Sequence, residues 1–157
     1  MKIYLAIRYH SDNKNRKLIE EISSHLEAGG HEVICAVRDF ESWGNNSFDP
    51  KELLLMSLRT IDSSDLVLIE ATEKGMGVGI EAGYAFARSK PVMTITQDGS
   101  DLSINLQSLS SAMQVYEKVS EIKICWSVLV GPEFYDRLGA TLHAQARPDL
   151  TIMSFEI

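Results

Sequence analysis

The chain has 157 residues and a formal net charge of −7, which suits one domain with a sizeable core and is too short for two. That acidity argues against a general nucleic-acid binder and against an anionic membrane surface, while leaving open a small anion held by local backbone amides. The two cysteines, Cys35 and Cys125, have no metal-like spacing and lie in apolar runs, so they read as reduced core residues of a cytoplasmic protein. Met1 leads straight into a strand-like run, so no signal peptide is expected, and no apolar run has the length of a membrane span.

Ile3 to Ile7 reads as the first strand. Arg8 to Asp12 is a polar loop in which Ser11 or Asp12 can cap the next helix. That helix carries Leu18, Ile19, Ile22 and Leu26 on one face and stops at Gly29-Gly30. His31 to Val37 is the second strand. The stretch from Arg38 to Asp49 is long, irregular and aromatic, and such loops in small domains usually carry function. Asp49-Pro50 has the form of an N-cap with proline at the first helical position, and the helix turns Leu54, Leu58 and Ile61 inward.

Leu66 to Ile69 is a short apolar run that reads as a strand buried on both faces. Three alternate glycines follow, Gly75, Gly77 and Gly79, as a turn before a helix over Ile80 to Phe86, with Glu81 in its first turn. Glycines at a helix start leave backbone N–H groups open to a ligand. Pro91 to Thr96 is the fourth strand, Leu102 to Leu109 a short helix and Met113 to Tyr116 the fifth strand. Glu117 to Val130 reads as a helix with Val119, Ile122, Cys125, Trp126 and Leu129 on one face, broken by Gly131-Pro132. Glu133 to Ala146 is weakly helical, and Leu150 to Phe155 is a strand or an extended arm. The chain therefore divides into a domain over 1–130 and an extension over 131–157 packed on that domain or on a partner subunit.

Alternating strands and helices imply an α/β fold with a five-stranded parallel sheet and helices on both faces. Ligands in such sheets bind beyond the carboxyl ends of the strands, and that rim gathers Arg8, the Trp43 loop, the Gly75 to Glu81 segment and Asp98 to Asn105. Gly77-Val-Gly79-Ile-Glu-Ala82 also fits a dinucleotide fingerprint. It comes after the third strand rather than the first, lies far from the strand end, and puts Glu81 beside a pyrophosphate, so that use is disfavoured. Each rim residue has a plainer use beside a functional one. Tyr4 is either an aromatic filling a strand face or a phenol that orients Glu81. Arg8 and Arg16 are either solvated charges or anion ligands. Trp43 either covers a core edge or stacks on a heterocycle. Ser103 and Asn105 either serve a turn or contact a ligand. Histidines 10, 25, 31 and 143 form neither a metal spacing nor a triad, and no residue pattern calls for a cofactor. A carboxylate with backbone donors and an aromatic lid suits glycosidic-bond cleavage, among other uses of an acidic rim.

Tyr4-Leu-Ala, Asp65-Leu-Val-Leu-Ile-Glu-Ala-Thr, Gly77-Val-Gly-Ile-Glu81-Ala-Gly83-Tyr-Ala and Lys90-Pro91-Val together resemble the nucleoside 2-deoxyribosyltransferase superfamily, and within it the 2'-deoxynucleoside 5'-monophosphate N-hydrolases. The resemblance covers about Lys2 to Glu121. It implies a flavodoxin-like fold, a homodimer or larger homo-oligomer, and cleavage between base and sugar, with Glu81 as nucleophile and Tyr4 positioning it. It implies further that Arg38 to Gly44 is a base-side loop, that Ser103 is a phosphate ligand given by a neighbouring subunit, and that Asn105 belongs to the corresponding segment of the transferases. Two positions depart from the pattern. Ser57 stands where the family carries an Asp, eight residues ahead of the strand's own Asp65, and Gly75 stands where a serine helps hold phosphate. Asp62 is on the helix of Ser57 but more than a turn away. The function expected is N-glycosidic cleavage of a nucleoside or nucleoside 5'-monophosphate. Base exchange, and nucleotide binding without catalysis, are the alternatives.

Overall fold

The computed structural model describes residues 1–125. Its regular elements are β1 (Lys2–Ile7), α1 (Arg16–Ala28), β2 (Glu32–Ile34), α2 (Pro50–Ser63), β3 (Leu66–Glu70), α3 (Met76–Ala87), β4 (Val92–Gln97), α4 (Ile104–Leu109) and β5 (Ala112–Tyr116). The strands form one sheet in the order β2-β1-β3-β4-β5, every neighbouring pair parallel. This is the flavodoxin-like doubly wound order, in which the chain starts inside the sheet and winds outward in both directions.

Strand alternation divides the core in two. Ile3 and Leu5 of β1 with Leu66 and Leu68 of β3 meet Ile19, Ile22 and Leu26 of α1 on one face. Tyr4 and Ala6 with Val67 and Ile69 meet Ile61 of α2 and Val78, Ala82 and Ala85 of α3 on the other. All five residues of β3 are buried because helices cover both of its sides. Burying one such Ile or Leu is worth about 1.5–3 kcal/mol.

Several local expectations need correction. The second strand ends at Ile34, and residues 36–40 turn into a π-helical loop. The Asp39 carboxylate accepts the Cys35 N–H at 2.7 Å, and the Arg38 guanidinium donates to the Val33 carbonyl at 2.5 Å and to Glu27 at 3.0 Å. These side chains close the loop where a longer strand would have continued. On α2 the Asp49 cap is present, its carboxylate accepting from the Lys51 and Glu52 amides. Leu54 on that helix is nonetheless 41% exposed, and Ser57 and Ile61 are the buried residues. The helix α3 starts at Met76 with Gly75 as its N-cap, so Gly77 and Gly79 lie inside the helix and Glu81 falls in its second turn.

After β5 no long helix forms within the described residues. Val119–Glu121 is a single 3-10 turn, closed by the Glu121 carboxylate accepting from the Glu117 and Lys118 amides at 3.0 and 3.2 Å. Cys35 is buried as expected, whereas Cys125 is exposed. The rest of the helix expected to Val130, its Gly131-Pro132 stop, the weak helix at Glu133 to Ala146, the segment Leu150 to Phe155 and the extension 131–157 lie outside the described residues. No described helix is long and apolar enough to cross a membrane.

Candidate active site

The chain leaves β1 toward α1 on one face of the sheet and leaves β3 toward α3 on the other. Loops that part in this way open a crevice at the carboxyl ends of the strands. Here the crevice is a cleft of about 610 Å³. Its floor is the end of β1 with Arg8, one wall is Cys35 to Val37 with Glu41 and the α2 residues Leu53, Leu54 and Ser57, and the other is Lys74 to Val78 with Glu81.

Tyr4 and Glu81 meet because alternation along β1 turns Tyr4 toward the face that α3 covers. The Tyr4 hydroxyl donates to Glu81 Oε1 at 2.6 Å. Burial pushes the Glu81 carboxyl up to about 7, and the bond from Tyr4 offsets part of that rise. Burial, and then the adjacent Glu81 charge, hold the Tyr4 phenol well above its ordinary value, so it stays protonated and remains the donor. A carboxyl poised near neutrality in a cleft, with one oxygen fixed, suits a nucleophile or base.

The first amides of α3 have no intrahelical acceptor, and no side chain caps them. They sit at the cleft beside Arg8, an arrangement suited to an anion. A methyl group built on Gly77 or Gly79 would meet nothing within 4 Å, whereas one on Gly75 would lie 3.4 Å from the Arg8 stem and 3.4 Å from Val78. Arg8 is half exposed and pairs with Glu73 at 3.4 Å. The same carboxylate takes His10 at 3.0 Å and Lys14 at 3.3 Å. These neighbours, Lys14 foremost, hold Glu73 below the usual carboxylate range.

Of the residues singled out in the sequence, the cleft brings together Tyr4, Glu81, Arg8, Gly75 and Gly77. Gly79, Ser103 and Asn105 line a second cavity of about 500 Å³ between α3 and α4, which shares Lys74, Gly75, Met76 and Val78 with the first. Trp43 lines neither. It packs at the edge of the α1-side core, with the Arg16 guanidinium 4.7 Å above its ring. Asp62 is engaged elsewhere, accepting from Tyr84 and Arg88 at 2.8 Å each. Ser57 is 4% exposed and forms part of the cleft wall. Sequence reasoning missed Glu41, which also lines the cleft and whose carboxyl is raised by burial. Its only sequence signal was its place in an irregular loop.

The model of a family described as nucleoside 2-deoxyribosyltransferase matches residues 3–149. A Thermofilum pendens protein, whose name assigns it provisionally as 2'-deoxynucleoside 5'-phosphate N-hydrolase 1, is 26% identical over 115 residues, 73% of this chain and 77% of that one. The structure of Clostridium botulinum CMP N-glycosidase has a TM-score of 0.58 at 23% identity, covering 77% of this chain and 93% of that chain. A 2-deoxyribosyltransferase from Bacillus psychrosaccharolyticus has a TM-score of 0.66 at 19% identity, covering 82% of this chain and 96% of that chain. At these identities the two structures bear on the fold.

Proposed function

The chain belongs to the nucleoside 2-deoxyribosyltransferase family, and from that premise we propose that it cleaves the N-glycosidic bond of a nucleoside or nucleoside 5'-monophosphate, with water as acceptor. The observation that carries this reading is the half-buried Tyr4–Glu81 pair at the cleft. Glu81, ionised, attacks the anomeric carbon as the base departs, and Tyr4 keeps the attacking carboxylate in place. The amides at the start of α3, with Gly75 and Gly77, and the Arg8 guanidinium receive the phosphate of a monophosphate substrate.

Ser103 and Asn105 line the adjoining cavity and not this cleft, so in this reading they serve a neighbouring subunit's substrate. Exposed apolar side chains on the neighbouring helices α2, α3 and α4, namely Leu54, Leu55, Met76, Ile80 and Ile104, favour a homodimer or larger homo-oligomer. One feature favours a different reading, in which the protein binds a nucleotide without cleaving it. Ser57 stands in the wall where an acid would assist the leaving base, and a serine hydroxyl does not release a proton at neutral pH.

Incubation with a panel of nucleosides and 5'-monophosphates, with and without a free base, tests all of these. Base released without an acceptor supports hydrolysis. Release that needs a second base makes the protein a deoxyribosyltransferase, and saturable binding with no release makes it a binding protein.

A further inference from the structure

Among the described residues, two acidic residues line the cleft, Glu81 and Glu41. Glu41 is held by its backbone and free at its side chain. Its N–H donates to the Ala36 carbonyl at 3.1 Å, and its own carbonyl accepts from the Gly44 and Asn46 amides at 2.9 Å each. Its carboxyl makes no hydrogen bond or ion pair with another described residue. An unpartnered carboxyl carried on an anchored backbone, in the wall of a cleft, is available to a ligand.

The cleft is polarised from one wall to the other. Arg8, Lys74 and the open amides of α3 lie on one side, and Ala36, Val37, Leu53 and Leu54 form the wall on which Glu41 sits. A phosphate belongs on the first side and a flat, weakly polar heterocycle against the second. The sugar between them then lies over Glu81. Glu41 is therefore on the side of the leaving base, and Ser57 in the same wall supplies no acid.

We propose that Glu41 is the catalytic acid that protonates the departing base. The inference rests on the reading of the chain as an N-glycosidase and assigns the step which that reading leaves without a donor. As the bond between C1' and the base nitrogen breaks, its electron pair goes to the base, which takes the Glu41 proton, while a Glu81 oxygen bonds to C1'. Water then attacks C1', Glu41 takes the water's proton, and the bond from C1' to Glu81 breaks with its pair returning to the carboxylate. The sum is substrate plus water giving free base plus sugar, with both carboxyls restored. Burial raises Glu41 above the usual carboxylate range, which favours the proton-bearing form that the first step uses.

The test is Glu41→Gln, which keeps the shape and removes the transferable proton, assayed beside Glu81→Gln. Two substrates are compared: the nucleoside or monophosphate that the native protein cleaves, and the 4-nitrophenyl glycoside of the same sugar or sugar phosphate, whose phenolate leaves without a proton. For the natural substrate kcat should fall about 10²–10⁴-fold, with KM held within about threefold. The limb of its pH profile that Glu41 sets should disappear, and Glu41→Asp should recover part of the rate. The other titratable groups of the cleft, Arg8, Tyr9, Cys35, Lys74 and Glu81, are all retained in that variant. The nitrophenyl substrate should turn over within about threefold of the native rate, whereas Glu81→Gln should abolish both reactions. Unchanged kcat, an equal loss on both substrates, or a raised KM alone would overturn the assignment, the last marking Glu41 as a base-recognition residue. If Glu81→Gln is inactive and Glu41→Gln is not, only the acid is wrong. If the native protein cleaves no substrate, the glycosidase reading fails and the acid role fails with it.

Discussion

The Tyr4 hydroxyl and the Glu81 carboxylate are 2.6 Å apart, and that single contact sets two expectations. Glu81→Gln should fold and release no base, which chromatography of reaction mixtures would read directly. Tyr4→Phe should act through protonation. In the native protein the ionised fraction of Glu81 rises through about 7, and the acid limb of kcat/KM should follow it. Removing a donated bond to the charged form, worth roughly 1.5–3 kcal/mol, moves that limb upward by about one to two pH units. A rate profile with an unmoved acid limb would show that Glu81 does not need Tyr4 to ionise. Glu41, by contrast, was invisible among the charges of an irregular loop, because nothing in composition or spacing says which loop acid lies at the cleft.

At the scale of elements, the start of α3 is where sequence and structure part most usefully. The glycines were legible as a place of open backbone. Their helical placement was not, because alternate glycines suggest a turn and low helix propensity. What overrides propensity is the packing of Val78, Ala82 and Ala85 against the sheet, which extends the helix back to Met76. Gly75 then becomes a cap position with extended backbone, φ −142°, that any residue can adopt. Gly75→Ser should therefore be tolerated, its Cβ in ordinary contact 3.4 Å from the Arg8 stem. It adds a hydroxyl on the anion side of the cleft. Monophosphate binding should tighten by about tenfold, the equivalent of one hydrogen bond, while nucleoside binding stays level. Calorimetry on matched ligand pairs checks this, and equal gains for both ligands would place the hydroxyl away from the phosphate. The loop after β2 was legible only as a loop, because its shape depends on Asp39 and Arg38 reaching back to Cys35 and Val33.

Across the whole molecule, five parallel strands followed from alternating apolar runs and short connections, whereas their order was legible only through the family resemblance. The partition of rim residues between two cavities was not legible, because it depends on where α4 seats beside α3. The charge balance carries an expectation of its own. Burial raises Glu81 to about 7 and raises Glu70 also, the latter despite bonds from Thr72 and Tyr116. The folded protein thus holds these protons more tightly than the unfolded chain does. Stability should fall as pH rises from the ordinary value of 4.5 through about 7. Glu81→Gln removes one of these groups, so it should stabilise the fold at pH 8 by about 1–2 kcal/mol after allowance for solvent access, and not at all below about pH 4.5. Denaturant titrations at the two pH values read the difference, and equal effects at both would mean that the carboxylate is not the cause.

Cys35 lies in the cleft wall, 2% exposed and pushed up to about 12 by burial, while Cys125 is exposed. An alkylating reagent attacks thiolate, and at pH 8 a thiol of that kind has on the order of one part in ten thousand in the reactive form. One label should therefore enter the folded protein quickly, and the second only as the sheet edge opens, at a rate that reports local unfolding. Intact mass against time would separate the two. A nucleotide seated against Ala36 and Val37 should slow the second label further and leave the first untouched, so the native thiols footprint the cleft without any engineered probe.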